Sequence, residues 1–489
     1  MSLSQTTRTT LITRLSEVLP QDSLLNDEET MRPYECDGLS AYRQLPAVVC
    51  LPEAVDQVQA VLRICHALQV PIVPRGAGTG LSGGALPDDA GVLLVLTKLN
   101  RILEIDPQNF CARVEPGLRN LALSEATQPF GLYYAPDPSS QVACSIGGNV
   151  AENSGGVHCL KYGLTVHNVL GLKIVTIAGE LLEIGGKTLD APGYDLLALL
   201  CGSEGLLGVV VEITVRLLPC PECAQVVLAA FDDVAKAGAA VGNVISAGII
   251  PAGLEMMDKL AIRAAEDFVH VNYPKQASAI LLCEIDGAGV EVSEQIMRVR
   301  QIMLESGAFE VRTAKDEAER ALFWKSRKAT FPAVGRLSPD YYCMDGTIPR
   351  HSLAEVLTRI EELSQQFGLP VANVFHAGDG NLHPLILYDA NREGDLNKAE
   401  ALGGLILQLC VSVGGTITGE HGVGIEKLDG MCMQFKALEL SQFLRVKAAF
   451  DPQGLLNPGK AVPSLHRCAE LGAMHVHQGQ LPFPELERF

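Results

Sequence analysis

The chain has 489 residues, of which 47% are hydrophobic and 19% charged, with mean hydropathy +0.20. That is more than one hydrophobic core usually covers, so two or three domains are expected, and the composition excludes wide disorder. With 57 acidic against 38 basic residues the formal charge is −19, which argues against a basic nucleic-acid interface and against direct electrostatic binding to anionic lipid.

The N-terminus, MSLSQTTRTTLITRLSEVLP, carries no apolar stretch of signal-peptide length. A cytoplasmic protein is expected, with any contact to the membrane's inner face made through partners. Residues 1–45 read as a helical lead-in. From 46 to 220, short apolar runs (PIVPRG, GVLLVL, ARVEPG, LKIVTIAG, GVVVEITVRLL) alternate with Gly- and Pro-rich turns and with helical patterns such as EAVDQVQAVLRICHALQ. This is the pattern of an α+β domain.

The prolines of LPCPECAQ break either helix or strand and mark a boundary near residue 220. Of the 14 cysteines, only Cys220 and Cys223 form a closely spaced pair. A zinc ribbon needs a second such pair, so reduced cytosolic thiols are expected. From 225 to 415, strand-like VVLAAF and AILLCEID alternate with helices over 232–248, 290–306 and 351–366. A second α+β domain follows, an antiparallel sheet with helices over one face. The uncharged run Ala237–Leu254 contains Gly, Asn, Ser and Pro, and reads as a helix and turn rather than a membrane span. The last segment, 416–489, holds a further glycine-rich loop, a helix ending at FDPQGLLNPGK and an extended tail.

Three glycine-rich loops stand out in the first domain. PRGAGTGLSGGALP, Pro74 to Pro87, follows the strand PIV and lets successive backbone N–H groups approach an anion without Cβ crowding. No βαβ unit follows it and it lacks the Walker lysine, so neither a Rossmann nor a P-loop site is expected. APDPSSQVACSIGGNVAENSGG, from Ala135, and CGSEGLLGVVVEITV, from Cys201, complete the set. Three such loops call for a large, elongated ligand with a diphosphate and polar ring edges.

FHAGDGNLHP, Phe375 to Pro384, reads as strand, tight turn, strand, a hairpin that brings His376 and His383 together. Glu420 and His421 follow in GGTITGEHGVGIEK. Two imidazoles and a carboxylate suit a divalent ion such as Zn, Mn or Fe. A phosphate role for this loop is disfavoured, because Asp379 would repel the anion.

The first-domain loops resemble the flavin domain of the vanillyl-alcohol oxidase or PCMH-type FAD family. By that resemblance Arg75, Gly76, Ala77, Gly78, Thr79, Gly80, Leu81, Gly83 and Gly84 bind the FAD diphosphate. Pro136, Asp137, Ser139, Ser145, Gly148, Asn149 and Asn153 line the flavin, while Gly202, Glu204, Gly208 and Ile213 lie along the rest of the cofactor. Several relatives attach FAD through a histidine in the first loop; none stands here, so non-covalent FAD is expected.

The later motifs resemble FAD-linked 2-hydroxy-acid dehydrogenases, including those for D-lactate and D-2-hydroxyglutarate. YECDGLSAYR, GLEMMD, SPDYYCMDGTIPR and the tail HRCAELGAMHVH are most similar to the flavin-binding subunits of bacterial glycolate oxidases. The resemblance implies His376, His383 and Glu420 as metal ligands, His421 as catalytic base and Arg327 as the anchor for the substrate carboxylate. It also implies a second flavin-type subunit and an iron–sulfur subunit as electron-accepting partners. Where enzymes for larger hydroxy acids have a lysine, this chain has Cys343, which fits a substrate with one carboxylate. The other readings are D-lactate or D-2-hydroxyglutarate as substrate, a non-catalytic flavin relay, and an alkyl-dihydroxyacetone-phosphate synthase type of enzyme.

Overall fold

The computed structural model describes residues 3–188 and 192–463. It contains two compact units, Met1–Gly155 with Leu164–Cys220 and His421–Phe489, and Gly156–Gly163 with Pro221–Glu420. The tail motif HRCAELGAMHVH lies outside the described residues.

Among the described residues, beside a two-stranded ladder of Leu132–Tyr133 with Leu218–Pro219, the first unit is built on two main sheets. In the smaller, strands Val48–Cys50, Val92–Val95 and Ile72–Arg75 run parallel, with Leu24–Leu25 added antiparallel at one edge. Their side chains are buried almost throughout, which is why they read as unbroken apolar runs. The helix Val55–Leu68 lays Val58, Val61, Leu62 and Cys65 into the same core, at the three- and four-residue spacing of one helical face. The second sheet is antiparallel, with strands beginning at Ile102, Cys111, Val209, Val169 and Leu181 in spatial order. Its central strand, Val209–Arg216, alternates buried and half-buried residues along most of its length.

The second unit is built on a seven-stranded sheet whose strands begin, in spatial order, at Glu310, Cys223, Ala279, Gly253, Val371, Pro384 and Asp340. Every pairing is antiparallel. The helices Val234–Ser246, Gly289–Glu305 and Leu353–Phe367 fall where their periodicity predicts them. The single covered face does not hold. On the strand Gly253–Asp258, Glu255 and Met257 face the helix Glu317–Val334, through Arg327 and through Thr330, whose hydroxyl lies 3.4 Å from the Met257 sulfur. Met256 points the other way, toward Leu357 and Ile360 of Leu353–Phe367. Helices cover both faces, and AILLCEID is buried from end to end for that reason.

The uncharged run expected to be a helix and a turn is the helix Val234–Ser246, a left-handed Gly248 and the start of the strand Gly253–Asp258. No described helix is long and apolar enough to cross a membrane. All cysteines among the described residues are free.

Candidate active site and flavin cradle

In the first unit the strand Ile72–Arg75 delivers the chain into the loop Gly76–Gly84. Arg75 turns back and donates from Nη1 to the Cys36 carbonyl at 2.6 Å, beside the Asp37 carboxylate. Gly78 and Gly83 have φ of +71° and +74°, where a side chain is strained, and a Cβ on Gly78 would run into the Arg75 guanidinium. Among the described residues, no backbone N–H from Gly76 to Gly84 donates to another protein group. Such a run of unsatisfied N–H groups needs an acceptor from outside the chain, and a diphosphate fits it.

The other expected cofactor residues gather unevenly around this loop. A Cβ on Gly76 would meet Ser145 Oγ, and Gly148 N donates to that same oxygen at 3.3 Å. A Cβ on Gly84 would lie 2.9 Å from Glu152 and 3.5 Å from Glu204, and one on Gly202 would lie 3.2 Å from Asn153. Pro136 and Asp137 are buried, with the Pro136 carbonyl accepting from Asn120 at 2.9 Å, whereas Ser139 is exposed on the turn. Asn149 ties its amide to Asn120 and Cys144, and Asn153 caps a helix while accepting from Val166 N at 2.9 Å. Gly208 packs under Ile174, and Ile213 sits wholly inside the apolar core of the antiparallel sheet.

Glu204 does something sequence did not indicate. Its carboxylate accepts from Val423 N at 2.7 Å and Gly424 N at 2.8 Å, and so grips the loop that follows His421. Burial raises its pKa, while those N–H groups and the Lys427 and Lys460 charges act against the rise. Ser82 completes the hold, donating to the His421 carbonyl at 2.8 Å.

In the second unit the strands Val371–Phe375 and Pro384–Tyr388 pair as the hairpin that FHAGDGNLHP suggests, with His376 opposite Asn381. Asp379 closes the turn by accepting from Asn381 N at 3.1 Å, and Gly380 takes φ +83° against the Ile348 carbonyl, where a side chain has no room. The two imidazoles stand edge to face with ring centres 5.2 Å apart. Glu420 Oε1 lies 2.9 Å from His383 Nε2 and 3.4 Å from His376 Nε2. All three side chains are buried, and their ligand atoms lie within 4.8 Å of one another.

Two carboxylates support this trio. Asp345, wholly buried, accepts from Thr418 Oγ1 at 2.6 Å, Gly419 N at 3.0 Å and Glu420 N at 3.1 Å. Glu255 accepts from His376 Nδ1 at 2.7 Å and is ion-paired with Arg327 Nη2, also at 2.7 Å. Burial opposes charge throughout this cluster. The two glutamates nonetheless hold His376 well above its usual pKa, and the two imidazoles hold Glu420 well below the carboxylate range. Arg327 is 1% exposed, and among the described residues its Nε and Nη1 have no hydrogen-bond partner. Asn381 Oδ1 is likewise buried without a partner among the described residues. Both point to a ligand able to satisfy them.

Known proteins share this architecture. Residues 46–185 match the FAD binding domain family and residues 220–461 the family of FAD linked oxidases, C-terminal domain. The chain is 63% identical, over 100% of its length and 98% of the relative's, to glycolate oxidase subunit GlcD of Escherichia coli K12. The chain belongs to the glycolate oxidase subunit GlcD family. As a GlcD-family member it is an FAD-dependent hydroxy-acid oxidoreductase. GlcD of Bacillus subtilis is 39% identical over 87% of this chain and 91% of its own, and a D-lactate dehydrogenase of Anaerostipes hadrus is 32% identical over 92% and 96%. The GlcD-family fold is also that of p-cresol methylhydroxylase, with a TM-score of 0.81 at 17% identity, covering 95% of this chain and 98% of that one. Alkyldihydroxyacetonephosphate synthase shares it too, with a TM-score of 0.74 at 17% identity, over 92% and 85% of the two chains. The PCMH-type α+β fold expected from the glycine loops is thereby established.

Sequence reasoning did not single out Glu255, Asp345 or Asn381 as site residues. The available signal was an acid within an apolar strand, Glu255 in GLEMMD and Asp345 after YYCM, since a buried charge needs a partner.

Proposed function

We propose that the protein oxidises a small 2-hydroxy acid, glycolate to glyoxylate in the first instance, with loss of two electrons and two protons from the substrate. The observation that carries this reading is the convergence of His376, His383 and Glu420 in one buried cluster, in a unit that also buries the unsatisfied donors of Arg327. Arg327 binds the substrate carboxylate, since its planar fork matches two carboxylate oxygens and its free N–H groups need acceptors. Cys343 in place of a second cation fits a substrate with one carboxylate. His376, His383 and Glu420 hold a divalent ion, Zn, Mn or Fe, and the glycine cradle holds FAD non-covalently. When bound, the ion supplies Lewis acidity toward the substrate hydroxyl and the flavin accepts the two electrons as hydride. His421 takes the hydroxyl proton, with its loop held by Ser82 and Glu204.

No iron–sulfur cysteine spacing or dinucleotide fingerprint stands in the chain. The electrons therefore pass to partner proteins, a second flavin-type subunit and an iron–sulfur subunit, consistent with relatives described as subunits. A cytoplasmic protein touching the membrane only through those partners belongs to the same reading.

The test is anaerobic bleaching of the flavin absorbance across glycolate, D-lactate and D-2-hydroxyglutarate, with and without chelator. Glycolate should bleach fastest, and chelation should slow bleaching while FAD stays bound. Faster reduction by D-lactate would move the substrate to that acid, which a 32% identical D-lactate dehydrogenase makes the second reading. No bleaching by any hydroxy acid would leave a relay subunit. His421→Asn should cut reduction by about 100-fold or more with FAD retained; near-normal reduction would remove the base assignment.

A further inference from the structure

The buried side chain that joins the two halves of the second unit's site is Glu255. It lies on the strand Gly253–Asp258, whose antiparallel register with Val371–Phe375 pairs Met256 with Phe375 and Met257 with Val374. That register sets Glu255 across from His376, the next residue of the partner strand. On the same strand face, one helical turn of Glu317–Val334 presents Arg327 to Glu255 and Thr330 to Met257. Glu255 is 1% exposed and reaches His376 Nδ1 with Oε1 and Arg327 Nη2 with Oε2, each at 2.7 Å.

We infer that Glu255 is a positioning residue that orients His376 for the divalent ion and fixes Arg327 for the substrate carboxylate. Cation binding and carboxylate binding would then both depend on one buried glutamate. This rests on the metal reading proposed above. Nδ1–H donation to a carboxylate fixes the tautomer, leaves the Nε2 lone pair for the ion and makes it more basic. The other carboxylate oxygen faces one edge of the guanidinium as a buried ion pair at 2.7 Å, while among the described residues the guanidinium nitrogens have no hydrogen-bond partner. A glutamate buried only for stability would need neither contact with the ligand-bearing histidine nor an arginine with donors to spare.

The experiment measures Zn²⁺ affinity of metal-stripped, FAD-loaded protein by calorimetry, and the visible spectrum of the Co²⁺-substituted form. Three variants are compared with the wild type: Glu255→Gln, the double variant Glu255→Gln with Arg327→Met, and Met257→Ala. Glu255→Gln should weaken Zn²⁺ binding by about 10- to 100-fold and alter the Co²⁺ bands. It also strands the Arg327 charge, and the double variant removes that charge so that a folded protein is available in which affinity is still reduced. Met257→Ala loosens the same strand face and should lower the melting temperature with Zn²⁺ affinity unchanged. Wild-type affinity in both Glu255 variants, or equal weakening by Met257→Ala, overturns the inference. A wild type that binds no divalent ion at all defeats the metal reading first, which is a distinguishable result.

Discussion

Replacing Asp345 with Asn tests how the Glu420 loop is held. The Asp345 side chain is 0% exposed and takes hydrogen bonds from Thr418 Oγ1 at 2.6 Å, Gly419 N at 3.0 Å and Glu420 N at 3.1 Å. An amide keeps one acceptor oxygen and turns an NH₂ toward the Thr418 hydroxyl or Glu420 N, whereas Gly419 N also donates to the Asp345 carbonyl at 2.9 Å and keeps that bond. Loss of charge assistance on two bonds costs about 1 kcal/mol each, and the donor facing a donor adds about 1 kcal/mol, near 3 kcal/mol in all. For a unit of this size that lowers Tm by roughly 6–12 °C. Glu420 would also lose its fixed orientation, so Zn²⁺ affinity should fall about tenfold, as for other groups that support metal ligands. Differential scanning calorimetry and Zn²⁺ titration of Asp345→Asn give the two readouts. Thr418→Val, which loses one bond of about 1 kcal/mol, provides an intermediate point at roughly 2–4 °C. A shift below about 2 °C for Asp345→Asn, with unchanged Zn²⁺ affinity, would refute the claim that this carboxylate positions the ligand loop.

Gly78→Ala forces a side chain into φ +71° and against the Arg75 guanidinium. Its FAD dissociation constant should rise about tenfold or more, equivalent to about 1.4 kcal/mol; wild-type FAD affinity would show that the loop does not need its observed backbone. Burial pushes Asp258 up to about 6, against the pull of its hydrogen bonds from Ala261 N and from both the backbone and side chain of Asn373. Because the folded value lies above the unfolded one, the proton stabilises the fold fully below about pH 4, and that contribution is lost as pH rises through about 6. Urea midpoints of the wild type should therefore fall relative to Asp258→Asn between pH 4 and 7, and parallel profiles would contradict the shift.

Much of the site was readable because its chemistry is local in the chain. His376 and His383 stand seven positions apart across a glycine turn, so their meeting needs only a hairpin, and Glu420 and His421 are flagged as an adjacent pair in a glycine-rich loop. The supporting carboxylates are different. Glu255 and His376 are 121 residues apart, and Asp345 and Glu420 are 75 apart; neither pairing can be read before strand register is known. Glu204 shows the same limit. The family resemblance sets it along the cofactor and says nothing of its carboxylate, which grips backbone N–H groups of residues 219 and 220 positions further on. The second face of helices was missed although AILLCEID carried the sign. An unbroken apolar run reads equally as a core strand under one or two layers of helix until the helices are placed.

By itself the amino-acid sequence determined the α+β class, the glycine-rich loops and the candidate histidine and glutamate residues, because each depends on residue type, short-range spacing and motif resemblance. The tertiary structure decided which buried acids serve that set, since a charge taken out of water must find its partner wherever the fold brings one within hydrogen-bonding distance. Among the described residues it also leaves buried donors of Arg327 without hydrogen-bond partners, which is the physical ground for proposing that this arginine takes the substrate carboxylate.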